Sequence, residues 1–325
     1  MKRFLSLLAA ALALAASPFA SAQQPAAYPS QPVKWIVPYV AGGGTDNLAR
    51  ALAEAMQPSL GQPLIIDNRP GASTNIGVSV LMQAKPDGYT IMQAENAALL
   101  FNEHMFAKLP YKPATDFTYI GTIGRFPVAL VVHPDFPAKN VAEFVRYVKA
   151  NPEKVSYASP GNGSPHHMAM ELFKQKAGIS ITHVPYKGAA PAMTDVMGGQ
   201  VPTMMLDLAS GLPIIKSGKV RVLAIGSGQR SKLLPNVPTL AEVGVSNSEV
   251  FAFQGILGPA GLPAPVVQRL NTELNKAFTT PAVQKRFADF GMEAMPGSPE
   301  QFFALARAES QRWGPVIKAT GVKLD

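Results

Sequence analysis

Short apolar segments alternate with amphipathic segments along most of the chain. The apolar segments are rich in β-branched residues and are typical of strands: VKWIVPY, LIIDN, YTIMQA, ALVVH, VSYAS, THVPY, TMMLDL and VRVLAIG. The segments between them have the apolar spacing of helices that bury one face. Strands that alternate with helices usually form parallel sheets covered by helices, so the pattern predicts an α/β protein with largely parallel sheets.

The pattern changes to helices alone from Ala264 onward. APVVQRLNTELNKAF, PAVQKRFADFG and SPEQFFALARAESQRWGPVIKATG each have helical periodicity. Pro265, Pro281 and Pro299 lie near their starts, and glycines follow the last two segments, as is common at helix ends. The chain is therefore predicted to end in helices.

Two apolar, glycine-containing segments lack helical periodicity and are candidate connections between two domains. They are residues 119–134 and 250–261. If the chain enters a second domain through the first and returns through the other, residues 23–124 plus 250–325 form domain 1 and residues 125–249 form domain 2. A chain of this length buries its core best as two domains, and two connecting strands permit hinge motion.

The first residues are typical of an exported protein. Lys2 and Arg3 precede the apolar run FLSLLAAALALAA, and SPFASA follows with an Ala-x-Ala pattern at its end. This order predicts a signal peptide over residues 1–22, cleaved after Ala22. The apolar run is too short to span a bilayer, and no later stretch has the roughly 20 uninterrupted apolar residues of a membrane helix. We expect a soluble, periplasmic mature protein.

The composition excludes several kinds of site. The chain has no cysteine, which excludes disulfides, thiolate metal sites and cysteine nucleophiles. Its formal net charge is +8, to which Lys2 and Arg3 of the signal peptide contribute, and it has no run of four or more basic residues. Proteins that bind nucleic acids usually concentrate basic charge on one face or arm, so no nucleic-acid partner is predicted. A mild positive field favours small anionic ligands.

Three glycine-rich loops lie between a predicted strand and a predicted helix. The first contains Gly42, Gly43 and Gly44, with Thr45 as a candidate cap for a helix opened by Asp46. The second is SPGNGSP before HHMAMELFKQKAG, and the third is PYKG before AAPAMTDVMGG. A helix N-terminus has unpaired amides and about half a positive charge, so it binds an anion through backbone alone. The three loops predict capture of a ligand with more than one carboxylate across an interdomain cleft.

A dinucleotide-binding site has only partial support. Gly42, Gly44 and Asp67 have the spacing of that motif, but Asn47 replaces its third glycine. Asp46 would also repel a pyrophosphate. We therefore predict no cofactor.

Metal and hydrolase sites are disfavoured as well. His166 and His167 are adjacent, so on a helix they point roughly 100° apart and do not chelate a metal. An exported hydrolase would use Ser164 or Ser210 with an activating base and an oxyanion hole. No G-x-S-x-G elbow occurs in the chain. We expect neither a metal nor catalytic residues.

Six sequence blocks resemble those of a known family. PYVAGGGTDNLAR, IIDNRPGASTNIG, KPDGYT, SPGNGSPHHMAMELF, VPYKGAAPAMTDVMGGQV and LPNVPTLAEVG occur in this order over nearly the whole mature chain. They are similar to the signature blocks of the Bug-type solute-binding proteins of tripartite tricarboxylate transporters. The resemblance implies a two-lobed periplasmic-binding-protein fold of the Venus flytrap, type II-like kind, with two strands crossing the hinge. It also implies a receptor that closes on a carboxylate, often through ordered water, and passes it to a membrane partner.

The resemblance implies ligand loops at residues 39–46, 71–75, 159–166 and 186–188, near residues 95–97 and around residue 207. With the glycine-rich loops, they define the predicted ligand-binding residues. These are Tyr39, Val40, Ala41, Gly42, Gly43, Thr45, Asp46, Ser73, Thr74, Asn75, Asn96, Ala97, Ser159, Asn162, Gly163, Ser164, His166, Tyr186, Lys187, Gly188 and Asp207. Where relatives often have GAGGNIG, this chain has side chains at Ser73 and Thr74, and it has His166-His167 where they often have Gly-His. Both departures bear on ligand choice, and Tyr39 is a candidate to stack on a ring.

Four of these residues also have structural explanations. Asp46 and Arg50 have the i,i+4 spacing of an ion pair, and Lys187 has the character of a solvated surface lysine. Asn75 and Asp207 are placed to cap helices. Asp207 also closes an apolar strand, and the carboxyl ends of such strands face the binding crevice in α/β sheets. The sequence leaves these alternatives open.

The predicted function is that of a periplasmic receptor for a small di- or tricarboxylate, an aromatic carboxylate or an amino acid. Its predicted partners are this ligand and, transiently, the membrane subunits of the transporter, and the receptor is expected to be a monomer. Two alternatives remain: a soluble carboxylate sensor for a two-component system and an exported hydrolase. For the receptor, we expect valine at Gly43 or Gly163 to weaken binding and leave the fold intact.

Overall fold

The structure is a computed structural model that describes residues 28–324. The predicted signal peptide and its cleavage site after Ala22 lie outside these residues. Ten strands of the described part form one sheet. They are β1 (Val33–Val37), β2 (Leu64–Asn68), β3 (Thr90–Glu95), β4 (Phe117–Val132), β5 (Ser156–Ser159), β6 (Thr182–Pro185), β7 (Thr203–Asp207), β8 (Arg221–Ile225), β9 (Phe251–Pro259) and β10 (Glu293–Ala294). Their order is β2-β1-β3-β9-β4-β7-β5-β6, and β8 and β10 also pair with β4.

Ten α-helices of the described part accompany the sheet. They are α1 (Gly44–Leu60), α2 (Asn75–Met82), α3 (Asn102–Met105), α4 (Val141–Ala150), α5 (Pro165–Ala177), α6 (Ala189–Met197), α7 (Leu208–Lys216), α8 (Ala264–Ala277), α9 (Pro281–Phe290) and α10 (Pro299–Thr320). A 3-10 turn over Ala72–Thr74 precedes α2, and a π-helical turn over Ala97–Phe101 precedes α3. Each predicted strand is confirmed, and α8, α9 and α10 form the predicted helical C-terminus.

The sheet is parallel only towards its two ends. β1 pairs in parallel with β2 and β3, and β5 pairs in parallel with β6 and β7. At the centre, β4 and β9 run antiparallel to each other and to their other neighbours. The expectation of largely parallel sheets is therefore wrong at the centre. The two long strands there carry the chain between the halves of the sheet and are not part of its βαβ units.

Strand β4 joins the two halves of the sheet. Its 16 residues pair with β9 through residues 117–127, and with β7 and β8 through residues 128–132. Pro127 lies where the partners change, and it has no amide hydrogen to donate to the sheet. The predicted domain boundaries fall inside β4 and immediately before β9, and they stay a prediction.

Three apolar clusters form the core. Trp35 of β1 and Trp313 of α10 are buried in two of them. Phe302 of α10 packs edge-on against Tyr119 of β4, with ring centroids 4.9 Å apart. The long C-terminal helix is thereby fixed against the central strand. Among the described residues, no helix combines the length and the apolar character needed to cross a membrane.

A capping box fixes the start of α10. Ser298 Oγ accepts from the Gln301 amide at 3.3 Å, and Gln301 Oε1 accepts from the Ser298 amide at 2.8 Å. Ser298→Ala is expected to lower the free energy of unfolding by about 1 kcal/mol, because the Gln301 amide loses its acceptor. Urea unfolding measures the change, with Ser246→Ala at an exposed serine as the control. Equal stability of the two variants would contradict this role of the cap.

Candidate ligand-binding site

A buried cavity lies where four helices begin. Its walls come from the starts of α1, α5, α6 and α7 and from strands β3, β4 and β9. The lining residues are Tyr39, Gly43, Gly44, Thr45, Glu95, Phe126, Pro160, Pro165, His166, Ala189, Asp207, Ala252 and Gln254. The cavity volume is about 30 Å³, which is room for about two water molecules. The three loops found in the sequence therefore converge on one enclosed space.

The first loop lines the cavity with backbone. Helix α1 begins at Gly44, with Gly43 at its N-cap and no side-chain cap. The helix starts earlier than predicted, so Thr45 lies inside the first turn and is not the cap. Its hydroxyl accepts from Gln254 Nε2 at 2.9 Å. Within the described residues, the amides of Gly43, Gly44 and Thr45 have no hydrogen-bond partner.

Asp46 stabilises this loop from outside the cavity. Its carboxylate accepts from the Gly42 amide at 3.0 Å, from Asn68 Nδ2 at 2.9 Å and from Arg50 Nε at 3.0 Å. Burial disfavours the charged form, but the bonds from Arg50, Gly42 and Asn68 outweigh it and hold the pKa of Asp46 below its ordinary value. The ion pair with Arg50 therefore explains Asp46 without a ligand.

The second loop uses several of its amides internally. The Gly163 amide donates to His167 Nδ1 at 2.9 Å, and the Gly161 amide donates to Ser159 Oγ at 3.1 Å. Ser164 caps α5 by accepting from the His167 amide at 3.2 Å. Positive φ angles at Gly161 and Gly163 turn the loop back on these side chains. The Gly163 amide is thus occupied within the protein, contrary to the expectation that it is free for a ligand.

Asp207 caps α7 and holds His166. Its Oδ1 accepts from the Ser210 amide at 2.7 Å, and its Oδ2 accepts from the Ser210 hydroxyl at 2.7 Å and contacts His166 Nε2 at 3.0 Å. Burial opposes ionisation, but the bonds from His166 and Ser210 hold the pKa of Asp207 below its usual value. The capping alternative is confirmed for Asp207. Among the described residues, none bonds to the buried His166 Nδ1.

Glu95, at the end of β3, is a buried acid in the cavity wall. It is 2% exposed, and the Tyr39 hydroxyl donates to its Oε1 at 2.6 Å. Its Oε2 is buried without a partner in the described part of the chain. Burial raises the pKa of Glu95 to about 7, although Tyr39 and the amides of Ala97 and Asn96 favour the ionised form. The resemblance implied a ligand loop near residues 95–97, but only Asn96 and Ala97 of this loop were among the predicted ligand-binding residues.

The polar part of the wall also includes Gln254, which the sequence did not indicate and which is paired with the buried Gln93. Gln93 Nε2 of β3 donates to Gln254 Oε1 of β9, and Gln254 Nε2 donates to Thr45 Oγ1 of α1. The apolar part comes from residues such as Phe126 and Ala252 on the two long strands. Bonds between three elements therefore hold Thr45 in place at the cavity.

A wider hollow lies beside the cavity and shares Tyr39 and Pro160 with it. Its volume is about 280 Å³. Ala72, Ser73 and Thr74 line it with φ angles of 47°, 51° and 74°. Residues other than glycine adopt this left-handed conformation at some cost, and such strain is common at ligand sites. The side chains at Ser73 and Thr74, which distinguish this chain from its family blocks, therefore belong to the hollow.

The predicted residues fall into three groups. Five line the buried cavity: Tyr39, Gly43, Thr45, His166 and Asp207. Six more line the outer hollow: Ser73, Thr74, Asn162, Ser164, Tyr186 and Lys187. Ten line neither: Val40, Ala41, Gly42, Asp46, Asn75, Asn96, Ala97, Ser159, Gly163 and Gly188. Few of the predicted residues therefore line the buried cavity itself.

Two of the predicted asparagines have structural partners. Asn75 does not cap α2 through its side chain, and its Oδ1 accepts from Asn102 Nδ2 at 3.0 Å. Asn96 donates to the Phe251 carbonyl at 3.0 Å and accepts from the Phe253 amide at 2.9 Å. Asn96 thereby ties the end of β3 to β9, beside Glu95.

Solved structures similar to this chain are periplasmic binding proteins. The periplasmic binding protein BugD has a TM-score of 0.88 and 35% identity, with 91% of this chain and 99% of that chain covered. An R. palustris protein with adipate has a TM-score of 0.88 and 34% identity, over 91% of this chain and 99% of that one. MatC from R. palustris with bound malate has a TM-score of 0.86 and 31% identity, with 89% of this chain and 100% of that chain covered. The predicted two-lobed periplasmic-binding-protein fold is confirmed.

Sequence comparisons give the same result. Protein BugT of Bordetella pertussis is 35% identical over 298 residues, which are 91% of this chain and cover 91% of BugT. A protein from the tcbD-tcbE intergenic region of Pseudomonas sp. (strain P51) is 35% identical over 297 residues. The match covers 91% of this chain and 88% of that protein. The family model TctC, the tripartite tricarboxylate transporter family receptor, matches residues 48–322. The chain therefore belongs to the TctC family of tripartite tricarboxylate transporter receptors.

Proposed function

We propose that this protein is a periplasmic receptor that captures a small carboxylate in the buried cavity and delivers it to a tripartite tricarboxylate transporter. The observation that supports this most is the meeting of four helix N-termini around one enclosed space. A helix N-terminus carries about half a positive charge and attracts an anion. Side chains already cap α5 and α7, whereas α1 and α6 have no side-chain cap and are free to act on a ligand. Two similar structures are described with adipate and with malate, and both of these ligands are carboxylates.

Backbone amides supply most of the binding free energy that this role needs. Those of Gly43, Gly44, Thr45 and Ala189 lie in the cavity wall without a partner among the described residues. A micromolar Kd corresponds to about −8 kcal/mol, and a hydrogen bond to a charged group contributes roughly 1.5–3 kcal/mol. About five or six such bonds suffice after the cost of ordering the ligand. The lining residues include no Lys or Arg.

The small volume of the cavity implies a more open form that admits the ligand. A dicarboxylate is larger than the two water molecules for which the cavity has room, so the walls must separate to admit it and must stay further apart around it than they do in this structure. In our proposal, the domain of residues 23–124 plus 250–325 moves relative to residues 125–249, and strands β4 and β9 connect them. A ligand that contacts both walls then stabilises the closed form.

The same geometry gives no support to a hydrolase that uses Ser164 or Ser210. Ser164 Oγ accepts from the His167 amide at the start of α5. The Ser210 hydroxyl donates to Asp207, whose lowered pKa makes it a weak base. We infer that the protein binds its ligand without converting it, and that it acts as a monomer without cofactor, metal or nucleic acid.

A thermal-shift screen with a library of carboxylic acids tests the proposal, followed by calorimetry of the acids that stabilise the protein. We expect at least one acid to raise Tm saturably, with a micromolar Kd and no product after incubation. Deletion of the gene should then abolish uptake of that acid. The proposal is wrong if no carboxylate binds, or if esters or amides are turned over.

A further inference from the structure

We propose that Glu95 binds a protonated amine on the ligand, so that this receptor prefers an amino acid to the same carboxylic acid without its amino group. The inference rests on the proposed function and narrows its ligand class. It starts from the cavity wall, in which a buried carboxylate oxygen of Glu95 lacks a hydrogen-bond donor.

The hydrogen bonds of Glu95 are only half complete. The Tyr39 hydroxyl donates to Oε1 at 2.6 Å, whereas Oε2 has no donor within the described part of the chain. An unpaired buried acceptor costs about 1–3 kcal/mol, and more when it is charged. Phe126 and Ala252 are apolar neighbours in the same wall and offer no donor. A hydrogen-bond donor on the ligand therefore contributes more binding free energy at Oε2 than it would at an acceptor exposed to water.

The charges around the cavity favour a cationic donor. The ionisable residues in the wall are Tyr39, Glu95, His166 and Asp207, and no Lys or Arg is among them. Asp207 is already held by Ser210 and His166, which leaves Glu95 as the acid without a counter-ion. A second carboxylate placed next to Glu95 would be repelled, whereas an ammonium group would complete an ion pair in a site of low dielectric.

The local hydrogen bonds favour an acceptor role for Glu95 over a donor role. A protonated Glu95 would donate to a ligand carboxylate and would suit a dicarboxylate. However, the Tyr39 hydroxyl stabilises the ionised carboxylate, and so do the nearby amides of Asn96 and Ala97, although neither amide makes a hydrogen bond to Oε2. With its pKa at about 7 in the empty protein, Glu95 ionises readily when an ammonium group arrives, because an adjacent positive charge lowers the pKa further.

Calorimetry with matched acids tests the inference. Succinate, malate and aspartate share one carbon chain and carry hydrogen, hydroxyl and ammonium at the same carbon. Glutarate with glutamate, and adipate with α-aminoadipate, extend the comparison to longer chains. We expect wild-type protein to bind the ammonium member of its best-fitting series at least about tenfold more tightly than the unsubstituted member, with a hydroxyl in between.

The variant Glu95→Gln reverses this preference, because its amide presents a donor where Oε2 accepted. Glu95→Asp keeps the charge and should retain part of the preference. Glu54→Gln removes one charge from an exposed position on α1 and should leave the preference unchanged. Thermal unfolding of each variant establishes that it folds.

The possible outcomes separate the two proposals. If unsubstituted acids bind wild type as tightly as their amino counterparts, or if Glu95→Gln leaves the ratio unchanged, the role of Glu95 is wrong and the carboxylate receptor stands. If no acid binds with or without an amino group, both proposals fail.

Discussion

Replacing Gly44 with valine is expected to weaken ligand binding about 100-fold or more while the protein stays folded. Gly44 begins α1, and a Cβ at this position would lie 3.0 Å from Asp207 Oδ1 and 3.2 Å from Ala209 Cβ. Both neighbours belong to the start of α7, so the added side chain separates α1 from α7 and keeps the cavity from closing. The loss corresponds to about 3 kcal/mol of binding free energy.

Calorimetry of wild type and Gly44→Val with the acid found by the screen measures this effect. Ala51→Val, further along α1 and outside the cavity, is the matched control and should bind normally. Equal affinity of Gly44→Val and wild type would show that the closed contact between α1 and α7 does not matter for binding. Thermal unfolding of both variants checks that the fold is kept.

The surroundings of the glycines decide which of them is best replaced with valine to test ligand binding. At Gly163, where we expected valine to be tolerated by the fold, φ is +71° and a Cβ would lie 2.7 Å from Met105 Cε. Valine there would strain the fold as well as the site. At Gly43, a Cβ would lie 3.8 Å from Ala189 Cβ, an ordinary contact. Gly44 is therefore the sharper probe of closure.

Acidification from pH 7 to pH 4 is expected to lower the free energy of unfolding by about 3 kcal/mol through His167 alone. His167 is 4% exposed, and its Nδ1 accepts from the Gly163 amide at 2.9 Å. Burial, with the charge of Lys174, lowers the pKa of His167 to about 4. The unfolded value is about 6.5, and one unit corresponds to about 1.4 kcal/mol. Protonation would place a hydrogen on Nδ1 that opposes the Gly163 amide.

The free energy of unfolding falls on acidification because the unfolded chain binds protons that the folded protein does not. Between about pH 6.5 and pH 4 the unfolded chain binds a proton that folded His167 does not. Stability is therefore fully present above pH 6.5 and is lost as the pH falls towards 4. His183 stacks on His167 with ring centroids 4.0 Å apart, and burial lowers its pKa to about 3, which adds to the loss. The raised pKa of Glu95 has the opposite effect. As the pH falls from about 7 to about 4.5, protonation of Glu95 stabilises the folded protein.

Urea unfolding at pH 7, 5.5 and 4 isolates the contribution of His167 when wild type is compared with His167→Gln. Glutamine keeps an acceptor for the Gly163 amide but does not titrate, so the variant should lose less stability on acidification. His133→Gln, at a partly exposed histidine, should follow wild type. Parallel curves for wild type and His167→Gln would contradict the buried neutral state of His167.

Much of the fold was predictable because the spacing of apolar residues and the residue types in loops depend on neighbouring positions in the sequence. The predicted strands and the C-terminal helices follow from apolar spacing, and the glycine-rich loops do lie at helix starts around one cavity. Sheet direction at the centre was not predictable, since the paired residues of β4 and β9 lie 124 or more positions apart in the chain. Such pairing depends on topology and leaves no local pattern.

The residues of the site were less predictable than its location. The Gly163 amide is occupied because His167, four residues later, is oriented by its own burial and stacking. Gln254 reaches the cavity from a crossing strand that has no recognisable motif. Glu95 had a usable signal, since it is the charged last residue of an otherwise uncharged strand and lies in a loop region that the resemblance implied. The same reasoning from strand ends that selected Asp207 would have added Glu95.

The continuity of β4 would restrict the domain motion that we propose for opening the cavity. The strand remains hydrogen-bonded on both sides of Pro127, to β9 before it and to β7 and β8 after it. A change in angle is therefore confined to the few dihedrals near this proline, and no coil has to become ordered when the walls meet. Closure then costs little chain entropy, so most of the free energy of the ligand's contacts remains available as affinity.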